Sequence, residues 1–404
     1  MMVITFDFQI YIAVLICVGI VTGILEIFIG LRPLHRAYLA VAASDNDEMP
    51  GEASGCIPKV SVIIYVPGSD EEMERCVTTI MKQDYPDFEI ICVREASAEV
   101  IKDARERYRE RFPKLYMTFI PPESKNLSHV KLALTIGIKA AGGEIILITS
   151  PECVPDSSSW ISEMASPFAD SRIDMVLGYS KEKFSDMRGV WRWYRQYDSI
   201  MTSASWIAAA YGRHAYRGDG SNLAFRKSFF EHTDGYVSFR FLHSGEDDIF
   251  VSRNSTEFNT ALQLSPLSRM TVRWGNDEPK MWERCKDRYD FTSRYLPRKP
   301  FVLAGLSSVL NWTVTLAFSL AAVLPVVLSG NHIGIPVSSF ISIVALFLFW
   351  TVEILVYRKC AESLGAVRLW CSLPLFMLLK PMVNFFFRLL HRRDRVRNYT
   401  WIRQ

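Results

Sequence analysis

From about Gln9 to Gly30 the chain is an almost unbroken run of Ile, Val, Leu, Phe and Gly. At ~1.5 Å of rise per helical residue such a run crosses a hydrocarbon layer ~30 Å thick, so it is expected to span a membrane. No Lys or Arg precedes it, whereas Arg32 and Arg36 follow it. That order is the reverse of a cleavable signal peptide, and basic residues favour the cytoplasmic side, so the amino terminus is placed outside. Two more apolar runs, about 302–329 and 336–357, are separated by the uncharged GNHIGIP and form a hairpin of spans. Arg358, Lys359 and Arg368 follow, and the tail carries His391, Arg392, Arg393, Arg395, Arg397 and Arg403, so both segments belong on the cytoplasmic face. The stretch 369–390 between them is interrupted by Lys380-Pro381 and Arg388. With both ends on one side, it is expected to be an interfacial or re-entrant pair of short helices, with a fourth span as the second reading. The pattern fits a bacterial inner membrane, with the polar domain in the cytoplasm and in contact with membrane lipids.

Composition narrows the chemistry. With 49% hydrophobic residues and a mean hydropathy of +0.10 the chain is too apolar for an ordinary soluble enzyme, and 22% charged residues exclude a disordered one. The net charge of +3 argues against a nucleic-acid partner. Eight cysteines form no CxxC pair and are expected as reduced thiols. The seven histidines include no HExxH, so a bound metal has to be held by carboxylates. Three spans with few internal polar residues offer a transporter no pathway.

Between the spans the hydrophobic period changes. Residues 60–66, 88–93 and 144–149 are short β-rich runs, and 70–83, 98–111 and 128–141 have helical spacing. Strands alternating with helices predict an α/β domain with a mostly parallel central sheet. Ligands of such sheets bind outside the carboxyl ends of the strands, so 65–70, 94–97 and 150–153 should share one crevice.

The segment PKVSVIIYVPGSDEEMERCVTTIMKQDYPDFEIICV, with Gln83-Asp84-Tyr85-Pro86, resembles the opening of the family 2 glycosyltransferases. KAAGGEIILITSPECVPD, GDGSNLAFRKSFFEHTDGY (218–236) and SGEDDIFVSR (244–253) are similar to later blocks of that family, in order, over about 58–300. The resemblance implies a GT-A nucleotide-sugar-binding fold and inverting sugar transfer by a hexosyltransferase-type enzyme. It implies a nucleotide-sugar donor, UDP-linked, and membrane anchorage points to a lipid-linked or glycan acceptor. Inverting transfer needs a carboxylate to take the acceptor's proton while a diphosphate leaves from the opposite face. Gly245-Glu246-Asp247-Asp248 offers three adjacent carboxylates, and by resemblance Asp247 is the base, with Glu246 beside it. Gly220, Asn222 and Trp282 are the expected acceptor contacts, and Glu95, Lys125, Glu152, Lys286 and Arg288 the expected donor contacts.

The chain departs from the family on the donor side. Where relatives have paired aspartates after the second strand, Arg94-Glu95 stands here, and Gly68 replaces an Asn after the first. The Asp-x-Asp that holds a divalent ion reads Ser150-Pro151-Glu152, so Mg²⁺ or Mn²⁺ would rest on Glu152 alone, or Arg94, Lys125 or Arg288 would supply the charge. These losses leave a second reading open: a catalytically silent relative serving as scaffold or binding subunit. Other motifs also carry two readings. The acidic cluster can merely cap a helix, and GDGSN can be a plain turn. Trp282 to Tyr289 can form a basic helix lying on anionic lipid. The aromatic and basic run Trp191 to Tyr197 can stack on sugars or sit among lipid headgroups. The expected organisation is a span at 1–36, a linker at 37–57, the GT-A domain at 58–262 and an interfacial segment closing the site at 263–300. A membrane hairpin at 301–358 and interfacial helices with a basic tail at 359–404 complete it.

Overall fold

The first apolar run folds as α1 (Met2–Ile29), and after a break at Gly30-Leu31 a second helix, α2 (Arg32–Asn46), follows. The computed structural model describes residues 2–46, 58–67, 69–122, 128–183, 189–273, 278–328, 336–366 and 372–390. The expected linker is thus helical as far as Asn46, because Ala37, Ala40 and Val41 form an i, i+3, i+4 row within a run of good helix formers. Residues 47–57, Gly68, Lys125 and the basic tail lie outside the described residues.

The polar domain continues through β1 (Val60–Val66), α3 (Asp70–Ile80), β2 (Phe88–Glu95), α4 (Ala98–Tyr108), β3 (Leu115–Ile120), α5 (His129–Ala140) and β4 (Ile145–Thr149). Next come β5 (Cys153–Pro155), α6 (Trp160–Ala165), β6 (Met175–Leu177), β7 (Ser180–Lys183), α7 (Val190–Tyr211), β8 (Leu223–Arg226) and α8 (Lys227–His232). The domain closes with α9 (Asp248–Asn254), β9 (Thr260–Leu262), β10 (Met270–Arg273) and α10 (Glu278–Thr292). Ser69, Ser97 and Ser128 each cap the helix that follows a strand, taking the Glu72, Val100 and Lys131 amides on their hydroxyls. Seven strands form the main sheet in the order β3-β2-β1-β4-β8-β6-β9. β3, β2, β1 and β4 run parallel, and β8 runs antiparallel to both β4 and β6. β10 is a strand of a second, three-stranded sheet, order β5-β10-β7, so the expected interfacial segment is in part sheet.

Register decides where the loops go. Val66 pairs with Arg94, Ile64 with Thr149, and Leu223 with both Ile148 and Leu177. The carboxyl ends of β1, β2, β4 and β6 and the amino end of β8 therefore share one edge, where residues 150–153 and 218–222 emerge. Buried Val62, Ile64, Ile90 and Leu147 pack with Met73, Val77 and Ile80 of α3 and Ile101 of α4 in one core. Each such side chain contributes about 1.5–3 kcal/mol on burial. The Gln83-Asp84-Tyr85-Pro86 motif is part of this frame. The Gln83 amide donates to the Ser157 carbonyl (2.8 Å) and accepts from the Ile161 amide (3.2 Å), and the Tyr85 hydroxyl donates to the Pro58 carbonyl (2.6 Å).

The carboxyl-terminal apolar segments form α11 (Arg298–Leu328), α12 (Val337–Ser363) and α13 (Leu373–Leu390). The expected pair of short helices is one helix, α13, continuous through Pro381, which costs one backbone hydrogen bond without ending an otherwise apolar helix. The described residues thus hold four helical segments long and apolar enough to cross a membrane. In this unit, residues 1–38, 200–205 and 298–390, α11 touches α1, α12 and α13. Val314, Phe318 and Phe349 interlock with Ile16, and the Trp312 indole donates to the Leu378 carbonyl at 3.1 Å.

Candidate active site

The acidic turn leading into α9 sits at the edge where the strands end. Gly245 has a φ of +111°, which turns the chain sharply before Glu246. Asp247 caps α9: its Oδ1 accepts the Asp248 amide at 2.7 Å. Its Oδ2 accepts the Gly220 amide at 3.2 Å and pairs with Arg288 Nη2 at 2.6 Å, leaving Asp247 1% exposed. Gly220 was expected to let the backbone approach a sugar. What it approaches is this carboxylate, since a Cβ at 220 would lie 2.7 Å from Asp247 Oδ2. Asn222, expected to touch the acceptor, is fully buried and spent inside the protein. Its side-chain oxygen accepts the Trp160 indole (3.0 Å) and its amide donates to the Tyr179 and Ser268 carbonyls (3.2 and 2.9 Å). Asp219 in the same block accepts the Ser180 and Ser221 amides, at 2.7 and 2.9 Å, and burial pushes its carboxyl upward.

Three cations surround these carboxylates, and two of them carry no sequence motif. Arg288 also reaches Glu246 at 3.5 Å. Arg217 stacks on the Tyr289 ring (4.3 Å) and pairs with the fully buried Asp248 at 3.0 Å, whose other oxygen accepts the Thr292 hydroxyl at 2.7 Å. Lys131, on the buried face of α5 with Leu134 and Ile138, donates to the Leu242 carbonyl at 2.6 Å and stands 4.0 Å from Glu246. Ser128 at the start of α5 donates to the His243 carbonyl (3.0 Å), so this helix end holds the loop that carries Glu246. Burial pushes the Glu246 carboxyl up, and the charge of Asp247 adds to that. A lysine within the apolar row of a helix and an arginine just ahead of GDGSN were the signals available in the sequence.

Burial pushes the Lys131 ammonium down from 10.5 to about 8, against the pull of Glu246 and Asp247. Above that value the folded chain has released a proton that the unfolded chain still holds, so this group makes stability rise with pH up to its ordinary value. Lys131→Met is expected to remove that rise in denaturation series run from about pH 8 to 10. Equal slopes in variant and wild type would contradict the assignment.

The remaining expected contacts are placed as follows. Glu95, half-buried at the end of β2, accepts the Tyr65 hydroxyl and lies 2.8 Å from His129 Nδ1. Burial works against its ionisation, but these two hydrogen bonds together hold its carboxyl below the usual range. Arg94 is turned to Asp70. Lys286 pairs with Asp198 of α7 at 2.7 Å, and half-buried Trp282 packs edge-on against Tyr194. Lys286 and Arg288 are thus both turned to carboxylates of this domain. The run on α7 is divided between surfaces: Trp191 and Trp193 are exposed, Tyr194 and Tyr197 buried. Glu152 accepts the Ser150 hydroxyl at 2.6 Å. Among the described residues no group of three or more His, Cys, Asp or Glu side chains is gathered to hold a metal ion. The donor set is one carboxylate, not a preformed metal centre.

The fold is similar to that of mannosyltransferase PcManGT from Pyrobaculum calidifontis, solved in complex with GDP-Man and Mn²⁺. The TM-score is 0.55 and the identity 16%, over 92% of this chain and 99% of that one. Lower similarity, with a TM-score of 0.38, is found to GalNAc-T7 solved with UDP, GalNAc and Mn²⁺ (15% identity, 54% of this chain and 44% of that chain). The same score is found to S. aureus TarS 1-349 (15% identity, 76% and 88%). No curated protein matches the sequence. The family profile that matches does so over residues 12–387, nearly the whole chain, and is described as glycosyl transferase family 21. The expected class stands, with family 21 in place of family 2: this chain is a glycosyltransferase and belongs to glycosyl transferase family 21.

Proposed function

We propose that this glycosyltransferase transfers a sugar, with inversion, from a nucleoside-diphosphate sugar to a lipid-linked or glycan acceptor at the cytoplasmic face of a bacterial inner membrane, with its amino terminus outside. The observation that carries this reading is the Asp247 carboxylate at the strand-end edge, paired with the Arg288 guanidinium, whose side chain is itself 32% exposed. Arg288 is the group a diphosphate draws away, because its planar fork binds two phosphate oxygens at once. Its departure opens Asp247 Oδ2 to the acceptor hydroxyl. Asp247 then takes the hydroxyl proton as the acceptor oxygen bonds to the anomeric carbon. The bond from that carbon to the diphosphate breaks, and its electron pair leaves with the nucleoside diphosphate. Glu95, held by Tyr65 and His129 at the end of β2, is the group we assign to the donor's base and ribose. A divalent cation, if bound, neutralises charge on the leaving diphosphate, and Glu152 would hold it together with the donor's own phosphate oxygens.

The test is a panel of UDP- and GDP-linked sugars, with and without Mn²⁺, on the detergent-solubilised full chain, read by melting temperature and sugar transfer. One donor is expected to stabilise the chain, by about 2.7 kcal/mol at a hundredfold excess over its Kd. Mn²⁺ should enlarge the shift that the donor itself produces, taken against the same chain in Mn²⁺ without donor, in wild type but not in Glu152→Gln. Stabilisation by no nucleotide sugar under either condition would sink the reading. A scaffold role is favoured by the burial of Asp247 and the lone Glu152, and it is distinguished by donor binding without transfer to any acceptor.

A further inference from the structure

In the membrane unit three helices meet around buried oxygens. Glu26 lies in the last turn of α1, Glu353 on α12, and Ser307 and Asn311 on α11. Glu26 and Glu353 are 0% exposed and Asn311 is 3% exposed. The Ser307 hydroxyl donates to Glu26 Oε1 at 2.6 Å, and the Asn311 amide donates to Glu353 Oε1. Glu26 Oε2, Glu353 Oε2 and Asn311 Oδ1 are left buried without a hydrogen-bond partner. Ser307 and Asn311 are four residues apart, so they share one face of α11 about 6 Å from each other. The two glutamates they hold therefore stand on neighbouring turns. Gly30 closes the same wall, where a Cβ would run into the Glu26 carboxylate and the Ser307 hydroxyl.

Charged side chains within membrane helices are costly, and a buried polar atom without a partner calls for an explanation, of which a bound ion is one. Three such atoms on nearly inaccessible side chains are acceptors on three helices, and neither hydrogen bond to these glutamates comes from a cationic residue. We propose that Glu26, Glu353 and Asn311, oriented by Ser307, bind one hard divalent cation of the Mg²⁺, Ca²⁺ or Mn²⁺ class inside the membrane. Two carboxylates match its charge, and an all-oxygen set matches its preference, with water completing the shell. The ion ties α1, α11 and α12 together. This site is independent of the donor-side reading, which uses Glu152.

The test takes the full chain in detergent, strips it with a chelator, and returns Mg²⁺, Ca²⁺ or Mn²⁺ in the absence of nucleotide. Metal analysis is expected to find one ion per chain and the melting temperature to rise by several degrees. Glu26→Gln and Glu353→Gln should each lose both effects, whereas Glu152→Gln keeps both. Should either glutamate variant fail to fold, Asn311→Ala retains both carboxylates and is expected to weaken the metal affinity at least tenfold. A wild-type chain that takes up no ion overturns the proposal, as does loss of the ion in Glu152→Gln.

Discussion

Asp247→Asn is expected to lower the rate of sugar transfer by about 10²- to 10⁴-fold, the usual contribution of a positioned general base. The substitution changes almost no volume. Its side-chain oxygen can still accept one of the two amides that Asp247 now holds, from Gly220 and Asp248. What it removes is the negative charge that keeps Arg288 at 2.6 Å. Donor affinity should therefore hold or tighten, because a guanidinium no longer engaged by Asp247 is freer to meet a diphosphate. Lost transfer with preserved or improved donor binding is a pattern that a misfolded variant cannot produce. Transfer at the wild-type rate in Asp247→Asn would remove this carboxylate from the chemistry and leave Glu246 as the neighbour to test.

Arg217→Met is expected to cost about 3–5 kcal/mol, a large part of the 5–15 kcal/mol that holds a typical domain folded. Arg217 is 4% exposed and its partner Asp248 0%, so removing the guanidinium leaves a buried carboxylate without its ion-pair partner, hydrogen-bonded to the Thr292 hydroxyl. The loss is measurable as a lowered melting temperature in detergent. Adding Asp248→Asn should recover much of it, because the cost comes from an uncompensated charge and not from lost packing volume. A single variant that melts with the wild type would show that Asp248 is not left charged in the folded chain. The two experiments separate neighbouring aspartates by role: one faces the crevice through Arg288, the other anchors α10 to the turn.

Much of the architecture was legible in advance because it rests on local periodicity. The run from Gln9 to Gly30 and the β-rich segments at 60–66, 88–93 and 144–149 signal their secondary structure by composition and spacing, and the folded chain places helix or strand there. β3 and the strands after β4 gave no comparable signal. β5, β6 and β9 are three residues long each, too short for an alternation to register, and they exist through pairing with distant partners. The helix α13 escaped for the opposite reason: Lys380-Pro381 reads locally as a break, yet one missing hydrogen bond does not end a helix whose flanks are strongly apolar.

At the site, the sequence by itself determined which carboxylates stand together, because Glu246, Asp247 and Asp248 are adjacent along the chain and a Gly ahead of them forces a turn. Only the tertiary structure decided what each one meets. Arg288 on Asp247, Arg217 on Asp248 and Lys131 near Glu246 are joined across 41, 31 and 115 positions (288 − 247, 248 − 217 and 246 − 131). It also turned two expected ligand contacts inward, spending Asn222 on Trp160 and Gly220 on Asp247. The physical reason is that backbone preference and hydrophobic period are set within a turn or two of chain. The partner of a buried charge or amide is chosen by whichever complementary group the packed fold brings within about 3 Å of it.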